Sequence, residues 1–218
     1  MRNLTEFDQI ISDVDRSLRT LLAPQSLQQR QTPLPAHASD GLNESSALFP
    51  HDERLAGNLM RINHAGEVAA QALYFGHARF ARTEHQAQHM LHAAAEEGDH
   101  LAWCAERLSA LNTRPSLFGP LWYAGAYAMG AVSALIGDRF ALSFVAETEA
   151  QVEAHLQAHT QRMPEADRES LAVLQQMRSD EATHGQAALA AGGKKLPWPL
   201  PNLMGKAADV MRAVAFYG

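Results

Sequence analysis

Two short stretches of this chain carry the residue types of a metal site: Glu97-Gly98-Asp99-His100 and Glu181-Ala182-Thr183-His184. In each, a carboxylate and an imidazole stand three residues apart, so on a helix they share one face and can reach one ion. Each has a partner about one hairpin earlier, Glu67 thirty residues before Glu97 and Glu149 thirty-two before Glu181. A lone Glu on each of two helices, with Glu-x-x-His on each of two others, is the ligand set of a di-metal carboxylate centre inside a four-helix bundle.

For these six residues to meet, each must lie on the inner face of its helix, and the neighbours one and two turns away agree. Around Glu67 lie Met60, Asn63, Ala70 and Tyr74, and around Glu97 lie Met90, Ala93, His100 and Cys104. Glu149 is flanked by Leu142, Val145, Val152 and Leu156, and Glu181 by Leu174, Met177, His184 and Ala188. These are apolar seams with the spacing that faces a bundle interior. The same geometry sorts the crowded acids: Glu147 points almost opposite Glu149, and Glu96 lies about 100° round from Glu97. Glu153, about 40° from the seam centre, is the rival to Glu149; the apolar neighbours favour Glu149. Four ionised carboxylates buried without cations would cost several kcal/mol each or take up protons. Two divalent ions balance their charge. Carboxylate-rich ligation with one imidazole per ion suits iron or manganese, and open positions for dioxygen point to a di-iron site, two iron ions per chain.

The elements that would hold this centre are helical throughout. Leu4, Phe7, Ile10, Ile11, Val14, Leu18, Leu21 and Leu22 recur at helical spacing, so residues 4–22 form an amphipathic helix. Residues 23–50, with Pro24, Pro33, Pro35 and Pro50, lose that periodicity and are expected as a linker or partly disordered strap. Helices then follow over about 52–82, 83–111 (opened by the capping pattern Thr83 to Gln86), 138–162 and from beyond Pro164 to Gly192-Gly193, with a last short helix over 203–216. Two tight hairpins joined by one long crossover make an all-α, ferritin-like four-helix bundle with N- and C-terminal accessory helices. The domain boundary is placed at residue 50, with the bundle over 51–218.

No residue between Arg114 and Asp138 bears a formal charge. This run is long enough to cross a bilayer but is interrupted by Pro120 and by Gly119, Gly125, Gly130 and Gly137. A buried crossover helix, an element dipping into a membrane surface and a true span are the three readings. The net charge of −6 excludes a nucleic-acid footprint. The single cysteine, Cys104, excludes a disulfide framework, a Cys-based zinc ribbon and a rubredoxin-type module; it fits a reducing compartment. Met1 to Asp8 lacks an apolar signal core.

The run Arg61-Ile62-Asn63-His64-Ala65-Gly66-Glu67, with the two Glu-x-x-His motifs, resembles the demethoxyubiquinone hydroxylase family of ubiquinone biosynthesis over roughly residues 50–218. The resemblance implies a monooxygenase that hydroxylates the ring of a polyprenylated methoxy-methyl-benzoquinol with O2 and two electrons. It implies Glu67, Glu97 and His100 as ligands in one half and Glu149, Glu181 and His184 in the other, with Glu97 and Glu181 bridging. A polyprenyl substrate implies a peripheral protein at the cytoplasmic face of a bacterial membrane, with a further copy of the chain or other ubiquinone-biosynthesis proteins as candidate partners. The competing classes are another ferritin-like di-iron protein (an iron store, an oxidase, or a radical-generating subunit if Tyr74 is redox-active) and a non-catalytic quinone-binding scaffold. Tyr74 and Cys104 are expected mainly as packing residues, and His64 as a contact to a neighbouring helix or carboxylate rather than a metal ligand.

Overall fold

A computed structural model describes residues 5–35 and 48–218. Among them there is no strand; the chain forms seven α-helices and one 3-10 turn. Helix α1, Glu6–Leu22, opens on a complete capping box in which Thr5 and Asp8 exchange side-chain and backbone bonds. Leu4, which the periodicity places in this helix, lies outside the described residues, as does the 36–47 part of the proline-rich stretch. The four long helices are α2, Pro50–Phe80, α3, Glu84–Ala110, α5, Asp138–Arg162, and α6, Arg168–Ala190. Pro50 starts α2 where its missing N–H costs nothing. The Thr83 hydroxyl caps α3 by accepting from the Gln86 amide, and Asp167 caps α6 through Ser170.

Helices α2 and α3 form one hairpin, α5 and α6 the other, and together they make the expected bundle. Its interior is built in layers. One apolar layer joins Leu73 and Phe75 of α2, Met90 and Leu101 of α3, Leu142 and Val145 of α5 and Ala188 of α6. The other joins Leu59 and Met60, Trp103 and Leu108, Leu156, and Leu174 and Met177. Glu67, Glu149 and Glu181 each fall between these two sets along their own helix, and Glu97 lies between Ala94 of the first and Trp103 of the second, with Leu101 of the first set one turn beyond it. Apolar plugs above and below thus keep water from a polar layer at mid-height.

The crossover is a single continuous helix, α4, Gly119–Ile136. The glycines do not interrupt it: Pro120 stands in its first turn, and Gly137, at φ 150°, makes the turn into α5 that a side chain would strain. Two glycines instead allow backbones to meet. A Cβ on Gly130 would lie 2.1 Å from the Leu73 carbonyl oxygen, and one on Gly76 would lie 2.2 Å from that of Tyr127. Helix α4 therefore presses closely on α2, burying Tyr123, Ala126, Gly130, Ser133 and Ala134. It is a half-buried helix, because Leu121, Met129, Val132, Leu135 and Ile136 remain exposed on its other face. No helix among the described residues is long and apolar enough to cross a membrane.

Helix α1 is amphipathic as read, with its apolar side outward. Phe7, Ile10, Ile11, Val14, Leu18 and Leu22 are each at least half exposed. Its polar side meets the protein: Thr20 donates to Gln71, Asp13 accepts from Tyr127 of α4, and Arg16 stacks on Phe75. The last helix, α7, Leu200–Tyr217, is longer than the 203–216 expected and packs on α2, where Ala215 and Phe216 join Ile62, Ala65 and Trp122. The 3-10 turn Pro24–Leu27 and the segment after it lie against α3.

Candidate metal centre

All four glutamates of the seams are at most 2% exposed, and each supplies its carboxylate to one layer of the bundle. His100 Nδ1 stands 3.2 Å from Glu97 Oε2, 3.2 Å from Glu181 Oε1 and 3.7 Å from Glu67 Oε2. His184 Nδ1 stands 3.2 Å from Glu97 Oε1 and 3.3 Å from Glu181 Oε2. Glu97 and Glu181 thus each turn one oxygen toward one histidine and the second oxygen toward the other, which is the disposition of two bridging carboxylates. Glu67 adjoins the His100 end. The Tyr74 ring, which meets His184 edge-on, brings Glu149 to the opposite end.

Donor atoms of Glu67, Glu97, His100 and Glu181 all fall within 4.8 Å of one another, close enough to grip one ion. Glu149 and His184 lie outside this tightest group. Tyr74 donates to Glu149 Oε1 at 2.6 Å, so Tyr74, expected mainly as packing, is a hydrogen-bonding member of the site. Glu153, the rival acid, instead lines an outer groove of about 440 Å³ with Gln175 and Arg178. Cys104 is buried against Met177 as a small core residue.

The electrostatics favour cations. One oxygen on each glutamate (Glu67 Oε2, Glu97 Oε1, Glu149 Oε2 and Glu181 Oε1) is buried without a well-directed hydrogen bond, although Glu97 Oε1 and Glu181 Oε1 each lie 3.2 Å from an imidazole Nδ1. Such orphaned oxygens cost roughly 1–3 kcal/mol apiece unless something binds them. Burial, then the neighbouring carboxylates, push Glu67 and Glu149 well above the usual carboxylate range. Burial also opposes the charge on Glu97, but hydrogen bonds from His100 and His184 outweigh it and hold its pKa low. His184 is raised to about 12 against its own burial, chiefly by Glu181 and Glu97, and His100 is raised by Asp180 and the glutamates. Protons thus crowd where positive charge is wanted. Carboxylate oxygens with an imidazole nitrogen suit a divalent first-row ion, and the donor set fits one.

Two acids in contact with the histidines were not singled out by the sequence reading. Asp180 Oδ2 lies 2.9 Å from His100 Nε2, and Glu96 Oε2 lies 2.9 Å from His184 Nε2. Each acid immediately precedes the Glu of one motif and bonds the histidine of the other. With Nε2 so engaged, Nδ1 of each ring is directed at the carboxylates, the usual support of a ligating imidazole. The available signal was the acidic pair that opens both motifs, Glu96-Glu97 and Asp180-Glu181.

The segment leading to Glu67 is a set of clamps. Arg61 donates to the carbonyls of Arg114 and Phe216, tying α2 to the segment between α3 and α4 and to α7. Asn63 Oδ1 pairs with His159 Nδ1 of α5 at 2.8 Å. His64 is buried, which lowers its pKa to about 4 and keeps it neutral.

Residues 54–215 match the family model described as ubiquinone biosynthesis protein COQ7. The chain belongs to the COQ7 family. A relative from Xanthomonas campestris pv. campestris (strain 8004), named 3-demethoxyubiquinol 3-hydroxylase, is 49% identical over 209 residues, covering 96% of this chain and 93% of its own. Proteins of the same name from Xanthomonas oryzae pv. oryzae (strain PXO99A) and Paraburkholderia xenovorans (strain LB400) are 47% and 46% identical. They cover 96% of this chain in each case, and 93% and 98% of their own length. In this COQ7 protein the match reaches past the family core, because α1 and the strap fall within the span shared with the relatives.

Proposed function

We propose that this COQ7 protein is an O2-dependent 3-demethoxyubiquinol 3-hydroxylase holding two iron ions. The observation that carries the proposal is the pair Glu97 and Glu181, each facing both His100 and His184 from a buried layer. Glu67 and His100 would complete one ion's ligands, Glu149 and His184 the other's. The bound irons would supply the two-electron activation of O2 that no side chain offers. In the balanced reaction a ring C–H of the quinol becomes C–OH, the second oxygen atom leaves as water, and two electrons with two protons enter from a donor. This chain's residues do the rest. The apolar layers exclude water from the reacting centre, Tyr74 keeps a proton on its hydroxyl against Glu149, and Asp180 and Glu96 hold the imidazoles.

A polyprenyl quinol resides in lipid, and three helices present apolar surface to meet it. Tyr127 on one flank of α4 bonds α1, and Trp122 on the other packs beside α7. The exposed apolar residues are Ile10, Val14 and Leu18 of α1, Leu121, Val132 and Leu135 of α4, and Leu203 and Val210 of α7. Lipid contact through this surface, at the cytoplasmic face of the membrane, accounts for a helix α1 that turns its apolar side out.

Turnover decides the reading. Iron-loaded protein supplied with reductant, O2 and a demethoxyubiquinol should yield the hydroxylated quinol, with 18O from O2 in the new hydroxyl. Absence of product at confirmed iron occupancy would leave a scaffold or another di-iron activity instead.

A further inference from the structure

The segment between α1 and α2 reaches the metal centre from outside the bundle. Backbone N–H groups of Gln29 and Arg30 both donate to Asp99 Oδ1, and Arg30 Nε donates to Asp99 Oδ2 at 2.8 Å. The Arg30 guanidinium lies 4.8 Å over the Trp103 ring, and Thr32 donates to Glu106. Asp99, Trp103 and Glu106 follow one face of α3, so residues 28–32 run along that face as a strap. A Cβ on Gly98 would come within 3.1 Å of Leu27 Cβ. The two middle residues of Glu97-Gly98-Asp99-His100 are therefore fitted to the strap, while its outer two face the metal layer.

The strap also reaches the second motif. Arg30 Nη1 donates at 2.9 Å to Asp180 Oδ2, the oxygen that bonds His100 Nε2, and Arg30 Nη2 itself lies 3.4 Å from that ring nitrogen. One arginine thus joins Asp99, inside the first motif, to Asp180, beside the second. The other end of the centre has nothing equivalent among the described residues. The Glu96 side chain, bonded to His184, is 35% exposed, and its next basic neighbour is the imidazole of His92 at 4.0 Å.

We propose that Arg30 is a positioning residue for the metal centre. It fixes Asp180, which holds the His100 ring with Nδ1 toward Glu67, Glu97 and Glu181, and so makes the His100 ion the more tightly held of the two. The inference rests on the two-ion reading above and adds an inequality that the six ligands alone do not supply. Supporting partners of this kind change metal affinity by about 10–100-fold.

The test is anaerobic ferrous titration of the full chain against a competing chelator, reading each ion's affinity rather than turnover. Wild type should hold two ferrous ions. Arg30→Ala should weaken one about 10-fold or more and spare the other, and Arg30→Lys should recover part of the loss. Asp180→Asn should weaken the same ion, and the double variant should lose no more than the worse single one, because both changes break one chain of contacts. Two unchanged affinities in Arg30→Ala, equal weakening of both ions, or additive losses in the double variant would each overturn the role of Arg30 while leaving the metal reading in place. Failure of wild type to bind two ions would overturn that reading and this inference with it.

Discussion

Glu149→Gln should change stability in opposite directions with and without metal. Glu149 is buried, one oxygen accepts from Tyr74, the other has no hydrogen bond, and Glu181 and Glu97 stand nearby. Burial first, and those two carboxylates second, raise its pKa in the folded protein, whereas in the unfolded chain it titrates near 4.3. Between those values the native metal-free protein binds the extra proton, so its stability falls as pH rises. Gln is nearly isosteric, keeps a carbonyl to accept from Tyr74 and carries no charge. In EDTA at pH 8 the variant should therefore gain about 2 kcal/mol, the scale of one relieved buried polar group. For a chain of this size that is a rise of about 4–8 °C in Tm, shrinking as pH falls and the wild-type carboxyl takes up its proton. With ferrous iron the order reverses, because wild type is stabilised by two ions and the variant has lost a charged ligand to one of them. Thermal unfolding by circular dichroism from pH 5 to 8, beside an iron count, reads both effects. Glu153→Gln, in the outer groove, should alter neither. A metal-free Glu149→Gln protein that melts below wild type at pH 8, or one that keeps two irons at full affinity, would refute the reasoning.

Tyr74→Phe removes the donor to Glu149 and should cost the iron-loaded protein about 1–3 kcal/mol in urea unfolding; a loss under about 0.5 kcal/mol would mean the tyrosine only packs. Gly130→Leu must push α4 off the Leu73 carbonyl and should destabilise by about 3 kcal/mol or more. Gly125→Leu, on the same helix with open space around its Cβ, should be neutral or stabilise by up to about 1 kcal/mol, because leucine is the better helix former; equal losses in the same urea assay would contradict the packing described. His77, buried and bonded to Ser133, is lowered to about 4 by burial. The unfolded chain therefore takes up a proton that the folded one refuses, and stability present above about pH 6.5 is lost as pH falls toward 4, by roughly 3 kcal/mol. His77→Gln should flatten the plot of unfolding free energy against pH in that window, and a slope unchanged from wild type would assign the acid sensitivity elsewhere.

The parts of this molecule that periodicity could reach are those in which a residue's role depends on its own helix. Glu149 rather than Glu153 sits in the buried layer because its neighbours at one and two turns are Leu142, Val145, Val152 and Leu156. The bundle follows from four such seams and the length of the crossover. Asp180 and Glu96 were illegible for the converse reason. Each lies about 100° off its own seam, and its partner is a histidine on a different helix, which spacing within one helix cannot register. Helix α1 shows the same limit: its apolar stripe was plain, but a stripe does not say whether protein or lipid will cover it, and here the polar side holds the protein. The strap had no periodicity at all, and its one trace in the sequence was Gly98, where a Cβ would crowd both Leu27 of the strap and the Gln71 side chain of α2. The two Glu-x-x-His motifs are alike in ligand chemistry and unlike in what stands between the ligands. Gly98-Asp99 receives the strap and Ala182-Thr183 does not, so a pseudo-symmetric ligand set is held in asymmetric surroundings.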